Sequence, residues 1–362
     1  MRSLKEMTDL FFRALRNSMG IGNPMADTFN AEEWVWMWET ARQQSLLSIL
    51  FHGIEKGWVP KPERSLLLRW YVVSEQIKTQ NMQVNRATEE VTNLFAASGY
   101  RSCVLKGQGN VLNYPDAYMR TSGDIDLWVE GGEEKVLRFV RSTLTPGLFC
   151  YHHIDAGVYG GVEVEVHYRP SFMNNLIHNK RLQFWFEEQA DEQFSHEVYL
   201  PDGDEAICVP THAFNRIYQL AHIYHHLIHE GIGLRQIIDY YFVLKQGFSE
   251  EERVRDGKLL KHFGLYKIAS AMMWVLKETL WLDEIYWLVE PNEKLGRFLL
   301  DEIMLSGNFG QYDPRVKHGV SQWEKNLQRL KRDWRLVWYF PSECLWEPVF
   351  RGYHFFWRLR HK

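Results

Sequence analysis

Two aspartates two positions apart in an apolar run constrain the fold of this chain more than any other feature. They lie in Arg120–Val129, which has the sequence RTSGDIDLWV. Successive side chains of a β-strand point to opposite faces, so Asp124 and Asp126 share one face and the intervening Ile125 points into a core. Like charges held side by side are costly, and a metal ion removes that cost. The segment therefore predicts a strand that presents two carboxylates to a divalent cation.

A second segment, Val162–Arg169, repeats the alternation with acids and a histidine. Its sequence VEVEVHYR places Glu163, Glu165 and His167 on one face and the valines on the other. A third carboxylate for the same cation is therefore expected from this strand. Glu165 is the preferred candidate, and Glu163, one strand period away, remains a rival.

A glycine-containing turn follows a short apolar strand at Leu105–Gly109, with the sequence LKGQG. Glycines let backbone N–H groups approach an anion, and the start of the following helix favours negative charge. Lys106 adds a compact positive charge that suits phosphate. Carboxylates, a phosphate turn and a lysine together supply what phosphoryl chemistry needs, which is positioning and charge stabilisation.

Composition excludes several classes of protein. The formal net charge is -4, which argues against a general polyanion binder, so a nucleic acid is not expected as a partner. The cysteines are far apart and fit a reducing compartment better than a disulfide framework: Cys103, Cys150, Cys208 and Cys344. Neither a signal peptide nor an apolar run of membrane-spanning length is recognisable, so a cytoplasmic location without membrane contact is expected.

The hydrophobic pattern divides the chain into three regions: a helical region at 1–100, a mixed core at 101–210 and a second helical region at 211–362. The core pattern alternates strands with helices, and its last two strands are predicted at 148–154 and 157–168 around a turn at Asp155–Gly157. The predicted fold class is α+β, with an α/β-type core of mixed sheet flanked by helical segments on both sides.

The ordered motifs resemble a known family. They are matched by Leu105–Gly107, Tyr114–Asp116, Arg120, Gly123–Asp126 and Val164–His167, followed by His222, His226 and Gly233–Asp239. This set resembles the bacterial family of uncharacterised nucleotidyltransferases, within the DNA polymerase beta-like nucleotidyltransferase superfamily. The resemblance covers roughly residues 30 to 245 and implies a nucleotidyltransferase fold.

The resemblance also implies roles for individual residues. Asp124, Asp126 and Glu165 would be catalytic and would bind Mg²⁺, with Mn²⁺ as a second candidate. The nucleotide would be bound by a set of residues near the turn and the cleft: Lys106, Gly107, Gln108, Arg120, His167 and Arg235. Gln108 departs from the superfamily, which has serine or glycine after the first glycine of this turn. The implied substrates are a nucleoside triphosphate, with ATP favoured, and an unidentified acceptor.

Several residues keep more than one interpretation. Arg120 either clamps a phosphate or pairs with Asp116 or Asp124. His152 and His153 either reach the cleft or are ordinary half-buried histidines. Four histidines share one helical face and fit a structural metal, a cleft wall or plain packing: His222, His225, His226 and His229.

The last 42 residues mix basic and aromatic side chains, with nine lysines and arginines and five tryptophans between Ser321 and Lys362. This pattern fits either an anionic surface as partner or helices that bury the aromatic rings. Two further functions stay open at this point. One is a catalytically silent Mg-nucleotide-binding module that acts through a protein partner, and the other is a metallohydrolase built on the helical histidines.

Overall fold

The computed structural model describes residues 2–317, 319 and 321–361. The N-terminal region is helical, as predicted, with α1 at Leu4–Ser18, α2 at Ala31–Gln43, α3 at Leu47–Glu55 and α4 at Arg64–Ala97. Asn30 and Glu33 form a capping box at the start of α2, because each side chain bonds the other residue's backbone N–H. Within the described part of the chain, no helix combines the length and apolar character that a membrane crossing requires.

The central sheet has four strands, β1 at Ser102–Leu105, β2 at Ile125–Val129, β3 at His153–Tyr159 and β4 at Val162–His167. Their order is β1-β2-β4-β3. β2 and β4 run parallel, whereas β1–β2 and β3–β4 are antiparallel. The sheet is therefore mixed, and the two strands that carry the acids are direct neighbours.

The predicted turn at Asp155–Gly157 is wrong. β3 runs through this segment, and the chain turns at Gly160 and Gly161, whose φ angles are 58° and 82°. Two residues with positive φ match the right-handed twist of a tight hairpin, and glycine reaches that conformation without strain. Gly157, with φ of 81°, lies within the register shift between Asp155 and Val158. The sequence signal that suggested a turn is therefore an irregularity inside a strand.

Short elements connect and extend the sheet. The predicted helices after β1 and β2 are present as α5 at Gly107–Val111 and α6 at Gly132–Thr143. The chain then forms α7 at Leu176–Gln193 and a separate hairpin of β5, Glu197–Tyr199, and β6, Ala206–Cys208.

The region after Pro210 is helical, as predicted. Its helices are α8 at His212–His229, α9 at Leu234–Lys245, α10 at Glu250–His262, α11 at Tyr266–Leu280, α12 at Glu293–Ser306, α13 at Gln322–Leu336 and α14 at Pro341–Arg360. The structure confirms the α+β class, because a small mixed sheet is flanked by helices from both ends of the chain. The boundaries of the three regions as separate domains stay a prediction.

The two faces of the sheet enter different hydrophobic cores. Ile125 and Leu127 belong to a core that also contains Val91 of α4 and Val136 of α6. Trp128 belongs to the larger core, which is built mainly from helices of both terminal regions. Asp126 lies on the same face of β2 as Trp128, because the two residues are one strand period apart. This alternation directs the acids toward the C-terminal helices.

Candidate active site

Three carboxylates converge where β2 and β4 run side by side. Asp126 is the register partner of Glu165, and Asp124 immediately precedes β2. One carboxylate oxygen from each of these three residues lies within 4.8 Å of the others. Glu163 is exposed, pairs with Val158 and is not part of this group. The geometry therefore favours Glu165 over its rival as the third carboxylate.

The charges of the two aspartates act on each other. Asp126 and burial together raise the pKa of Asp124 above its ordinary value. Burial alone would raise the pKa of Asp126 as well, but Lys106 and His167 outweigh it and hold that pKa well below its usual range. A bound cation would favour the charged form of Asp124, because its opposite charge would offset the repulsion from Asp126. Oxygen donors of this kind suit Mg²⁺ or Mn²⁺.

Lys106 lies at the end of β1 and points at the acids. Its Nζ is 2.9 Å from Oδ1 of Asp126 and 3.0 Å from Nε2 of His222. Burial would lower the pKa of Lys106, but the neighbouring carboxylates outweigh it and raise that pKa. The backbone of Lys106 and Gly107 has φ angles of 50° and 36°. This turn sets the lysine beside Asp126 and leaves Gly107 on the wall of the cavity described below.

His167 bridges two of the acids from within the sheet. Its Nε2 is 3.0 Å from Oδ1 of Asp126 and 3.5 Å from Oε2 of Glu165. Burial disfavours the charged imidazole, but hydrogen bonds to Asp126 and Glu165 outweigh it and raise the pKa of His167 to about 9. The side chain is only 1% exposed although it lines the cavity, and its contacts hold the two carboxylates in position.

Arg120 pairs with Asp239 of α9, and neither Asp116 nor Asp124 is its partner. Its Nε and one terminal nitrogen each lie 2.8 Å from a different oxygen of Asp239. The hydroxyl of Tyr114 donates to the same carboxylate at 2.7 Å. This buried network joins the chain before β2 to the C-terminal helices. Arg120 also lines the cavity, although Asp239 holds its guanidinium.

The other predicted nucleotide ligands, Arg235 and Gln108, are placed differently. Arg235 lines the cavity, donates to the carbonyl of Thr121 at 2.9 Å and lies over the ring of Phe309. Gln108 is buried and donates to the side chain of Asn85 on α4, so its side chain points away from the cavity. The structure thus brings Arg235 to the site and keeps the side chain of Gln108 out of it.

A cavity of about 680 Å³ opens above the acids. One wall is the sheet with its turn, and the opposite wall is helical. All four histidines of the shared face of α8 line it: His222, His225, His226 and His229. Among the described residues these four do not form a group with metal-ligand spacing. The histidine face is therefore a cleft wall, one of the three alternatives that the sequence left open.

The C-terminal helices complete the helical wall with residues that the sequence analysis did not assign to the site. They contribute Arg329, Arg351, His354 and Arg358. Aromatic residues of the same region divide between two environments, because Trp357 is 7% exposed whereas Trp323 and Trp334 are 73% and 70% exposed. The basic and aromatic pattern of this segment was the available signal, but it could not show which side chains face the cleft.

A second group of metal-competent side chains also lines the cavity. Cys150, His152 and His153 each place one donor atom within 4.8 Å of the others. The histidine pair was noticed in the sequence, but its association with Cys150 was not. The spacing of one cysteine and two histidines within four residues was the signal that could have found it.

The comparisons with known proteins agree with the geometry. The model of a family described as "Uncharacterised nucleotidyltransferase" matches residues 30–280, more than half of the chain. No curated protein and no solved structure matches. The chain belongs to this nucleotidyltransferase family, which confirms the family drawn from the motifs, whereas the bacterial origin stays a prediction. The match includes the sheet, its carboxylates and α8, and it ends before the helices that supply Arg329 and Arg358.

Proposed function

We propose that this nucleotidyltransferase-family protein transfers a nucleoside monophosphate from a nucleoside triphosphate to an acceptor hydroxyl and releases pyrophosphate. ATP is the favoured donor, and Mg²⁺ is the favoured cation, with Mn²⁺ as a substitute. The observation that carries this proposal is the convergence of Asp124, Asp126 and Glu165 at the base of the cavity. A cation held by these carboxylates would neutralise phosphate oxygens and stabilise the leaving pyrophosphate.

The residues around the acids have distinct proposed tasks. Lys106 and the backbone of Gly107 hold phosphate oxygens, since Lys106 already lies beside Asp126. Arg235 adds a second positive charge at the cavity wall. Glu165 also accepts the proton of the acceptor hydroxyl, because it is less enclosed than Asp126: their side chains are 30% and 3% exposed.

Arg120 and His167 act mainly by positioning. Arg120 is held by Asp239, and His167 is held by Asp126 and Glu165. Both therefore fix the geometry of groups that touch the substrates. The helical wall would select the acceptor, because it faces the acids across the cavity and is built from different elements.

The test measures pyrophosphate release from each of the four common nucleoside triphosphates with Mg²⁺. Small hydroxyl compounds, sugars, a protein side chain and an RNA end serve as acceptor classes. We expect turnover with at least one class and its loss in Asp126→Asn. The matched control is Glu163→Gln, which changes an exposed acid of the neighbouring strand β4 outside the carboxylate group and should keep activity.

Tight binding of Mg-nucleotide without turnover in any acceptor class would overturn the proposed transfer. That result would support the alternative of a silent nucleotide-binding module. Equal activity in the wild type and in Asp126→Asn would remove the carboxylate group from the mechanism altogether.

A further inference from the structure

Soft metal donors gather on the edge of the sheet beside the carboxylates. Cys150 and His152 precede β3, and His153 begins it. The Sγ atom of Cys150 is 3.2 Å from Nδ1 of His152, and Nε2 of His152 is 3.1 Å from Nδ1 of His153. All three side chains line the cavity, so a bound ion would be reachable from it.

The donor set selects a different cation from the carboxylate group. Zn²⁺ is bound by cysteine thiolate and histidine nitrogen at about 2.3 Å and about 2.0–2.1 Å, usually in tetrahedral geometry. Tetrahedral ligands at those bond lengths are roughly 3.3–3.8 Å apart. The contacts of His152 with Cys150 and with His153 use different ring nitrogens, so one ion can use only one of them. One donor atom from each of the three residues nevertheless lies within 4.8 Å of the others, which small side-chain shifts would reduce to that spacing. Mg²⁺ prefers oxygen donors and would not compete well here.

We propose that Cys150, His152 and His153 bind Zn²⁺ and leave a fourth coordination position facing the cavity. Binding replaces the thiol proton of Cys150 with the metal, and the proton leaves to solvent. Three protein ligands with one open position are the arrangement of zinc sites that accept an exogenous ligand. The site adjoins the carboxylate group, since Nδ1 of His153 is 3.4 Å from Oε2 of Glu165, but the two groups share no ligand. Its existence does not depend on the proposed transfer reaction.

The surroundings support the ligands. Nε2 of His153 is 3.5 Å from Oδ1 of Asp155, so a carboxylate faces the ring nitrogen that is turned away from His152. Metal-ligating histidines commonly place their other nitrogen against a carboxylate in this way, which fixes the ring orientation. The ring of His152 also packs against Phe172, with ring centroids 4.9 Å apart. Both histidine rings are therefore held in place before any metal binds.

A chain of hydrogen bonds without a metal would give the same contacts among Cys150, His152 and His153. Binding of Co²⁺ distinguishes a metal site from such a chain. Full-length protein is stripped with a chelator and titrated with Co²⁺ in the absence of nucleotide. We expect about one equivalent to bind with a thiolate-to-cobalt charge-transfer band and the visible bands of tetrahedral Co²⁺. Zn²⁺ should displace the cobalt and abolish both sets of bands. The absence of a thiolate band in the wild-type protein would overturn the proposal.

Three variants show whether the thiolate-to-cobalt band comes from Cys150. Cys150→Ser should lose it, whereas Cys208→Ser should keep it, since Cys208 is also half-buried but bonds a backbone carbonyl away from the cavity. Asp126→Asn should keep it as well, because the carboxylate group contains no sulfur donor. A band that survives in Cys150→Ser or disappears in Asp126→Asn would contradict the assignment. A protein without transfer activity that shows the band would refute the proposed function and leave the zinc site intact.

Discussion

The sheet wall and the helical wall of the cavity carry different kinds of side chain. The sheet wall carries the carboxylates of Asp124, Asp126 and Glu165, and the helical wall carries the histidines of α8 and the arginines of α13 and α14. The sheet wall lies wholly within the family match at residues 30–280, whereas α13 and α14 lie beyond it. The family match therefore includes the carboxylate group but not the arginines of α13 and α14 on the opposite wall.

Removing the ion pair of Arg120 and Asp239, which links the two walls, should cause the largest loss of stability. In Arg120→Met the carboxylate of Asp239 stays buried without its partner, and breaking a buried ion pair costs about 3–5 kcal/mol. Urea unfolding should show a loss of that size. The double variant Arg120→Met/Asp239→Asn should recover more than half of it, because Tyr114 can still donate to the amide oxygen. A loss below about 1 kcal/mol in the single variant would show that solvent reaches the pair.

Neutralising one acid of the sheet wall should separate activity from stability. Asp124→Asn removes a proposed metal ligand, and a metal supplies several kcal/mol of transition-state stabilisation, so activity should fall by roughly 10²-fold or more. Without metal, the melting temperature should stay equal or rise, since Asp126 repels the charge that is removed. The paired measurement is pyrophosphate release with Mg²⁺ and thermal unfolding in chelator. A clear loss of stability in chelator would assign Asp124 a structural role.

The helical wall should show a pH dependence of stability through Glu343 of α14. Burial raises the pKa of Glu343 to about 7, although the backbone N–H groups of Asn174 and Asn175 oppose the shift. Because the pKa of Glu343 is higher in the folded state than in the unfolded state, its contribution to stability is fully present below pH 4.5. This contribution is lost as the pH rises through about 7. Glu343→Gln removes the titration and keeps an acceptor oxygen for the N–H of Asn174, although Asn175 donates to the other oxygen. Relative to the wild type, the variant should gain about 2–3 kcal/mol between pH 4.5 and pH 7 in urea unfolding, with less than about 0.5 kcal/mol of further gain above pH 7.

A substitution at the rim of the helical wall should have the smallest effect, which is a rise in KM alone. Arg358 lines the cavity, is exposed and has no carboxylate partner among the described residues. An exposed charge contact contributes about 0.2–1 kcal/mol, so Arg358→Gln should raise KM by up to about fivefold and leave kcat unchanged. The difference should shrink at high salt, because exposed charges are screened. A fall in kcat with unchanged KM would move Arg358 from substrate binding to the reaction itself.

The two walls also differ in how far the sequence could predict them. Strict alternation in β2 and β4 predicted that Asp126 and Glu165 face the same way, because a strand has only two faces. The partner of Arg120 could not be found by such a rule, since Asp239 lies 119 positions further along the chain. The side chain of Gln108 was misplaced for a similar reason: its partner, Asn85, belongs to another helix.

The helical elements followed from periodicity, and the departures have physical causes. Asn30 with Glu33 indicates the start of α2 and Gly99 indicates the end of α4, whereas the apolar spacing up to Ile54 did not show the break between α2 and α3. Glycines at two neighbouring sites competed for the β3–β4 turn, and Gly160 and Gly161 form it because a tight hairpin needs two consecutive positive φ angles. Helix α7 and the hairpin β5–β6 were not predicted, and they lie between the last predicted strand and Pro210.

The parallel pairing of β2 and β4 has a consequence for how this site can change over time. Strand β3 is an edge strand, and it lies within the crossover that connects the two acid-bearing strands. The crossover also carries Cys150 and His152, whereas Asp126 and Glu165 are aligned by the ladder itself. Mutation can therefore remodel the crossover, and with it the sulfur-containing group, while the registered acids stay in place. Descendants of one ancestral sequence could in this way keep the same chemistry and diverge in what they do beside it.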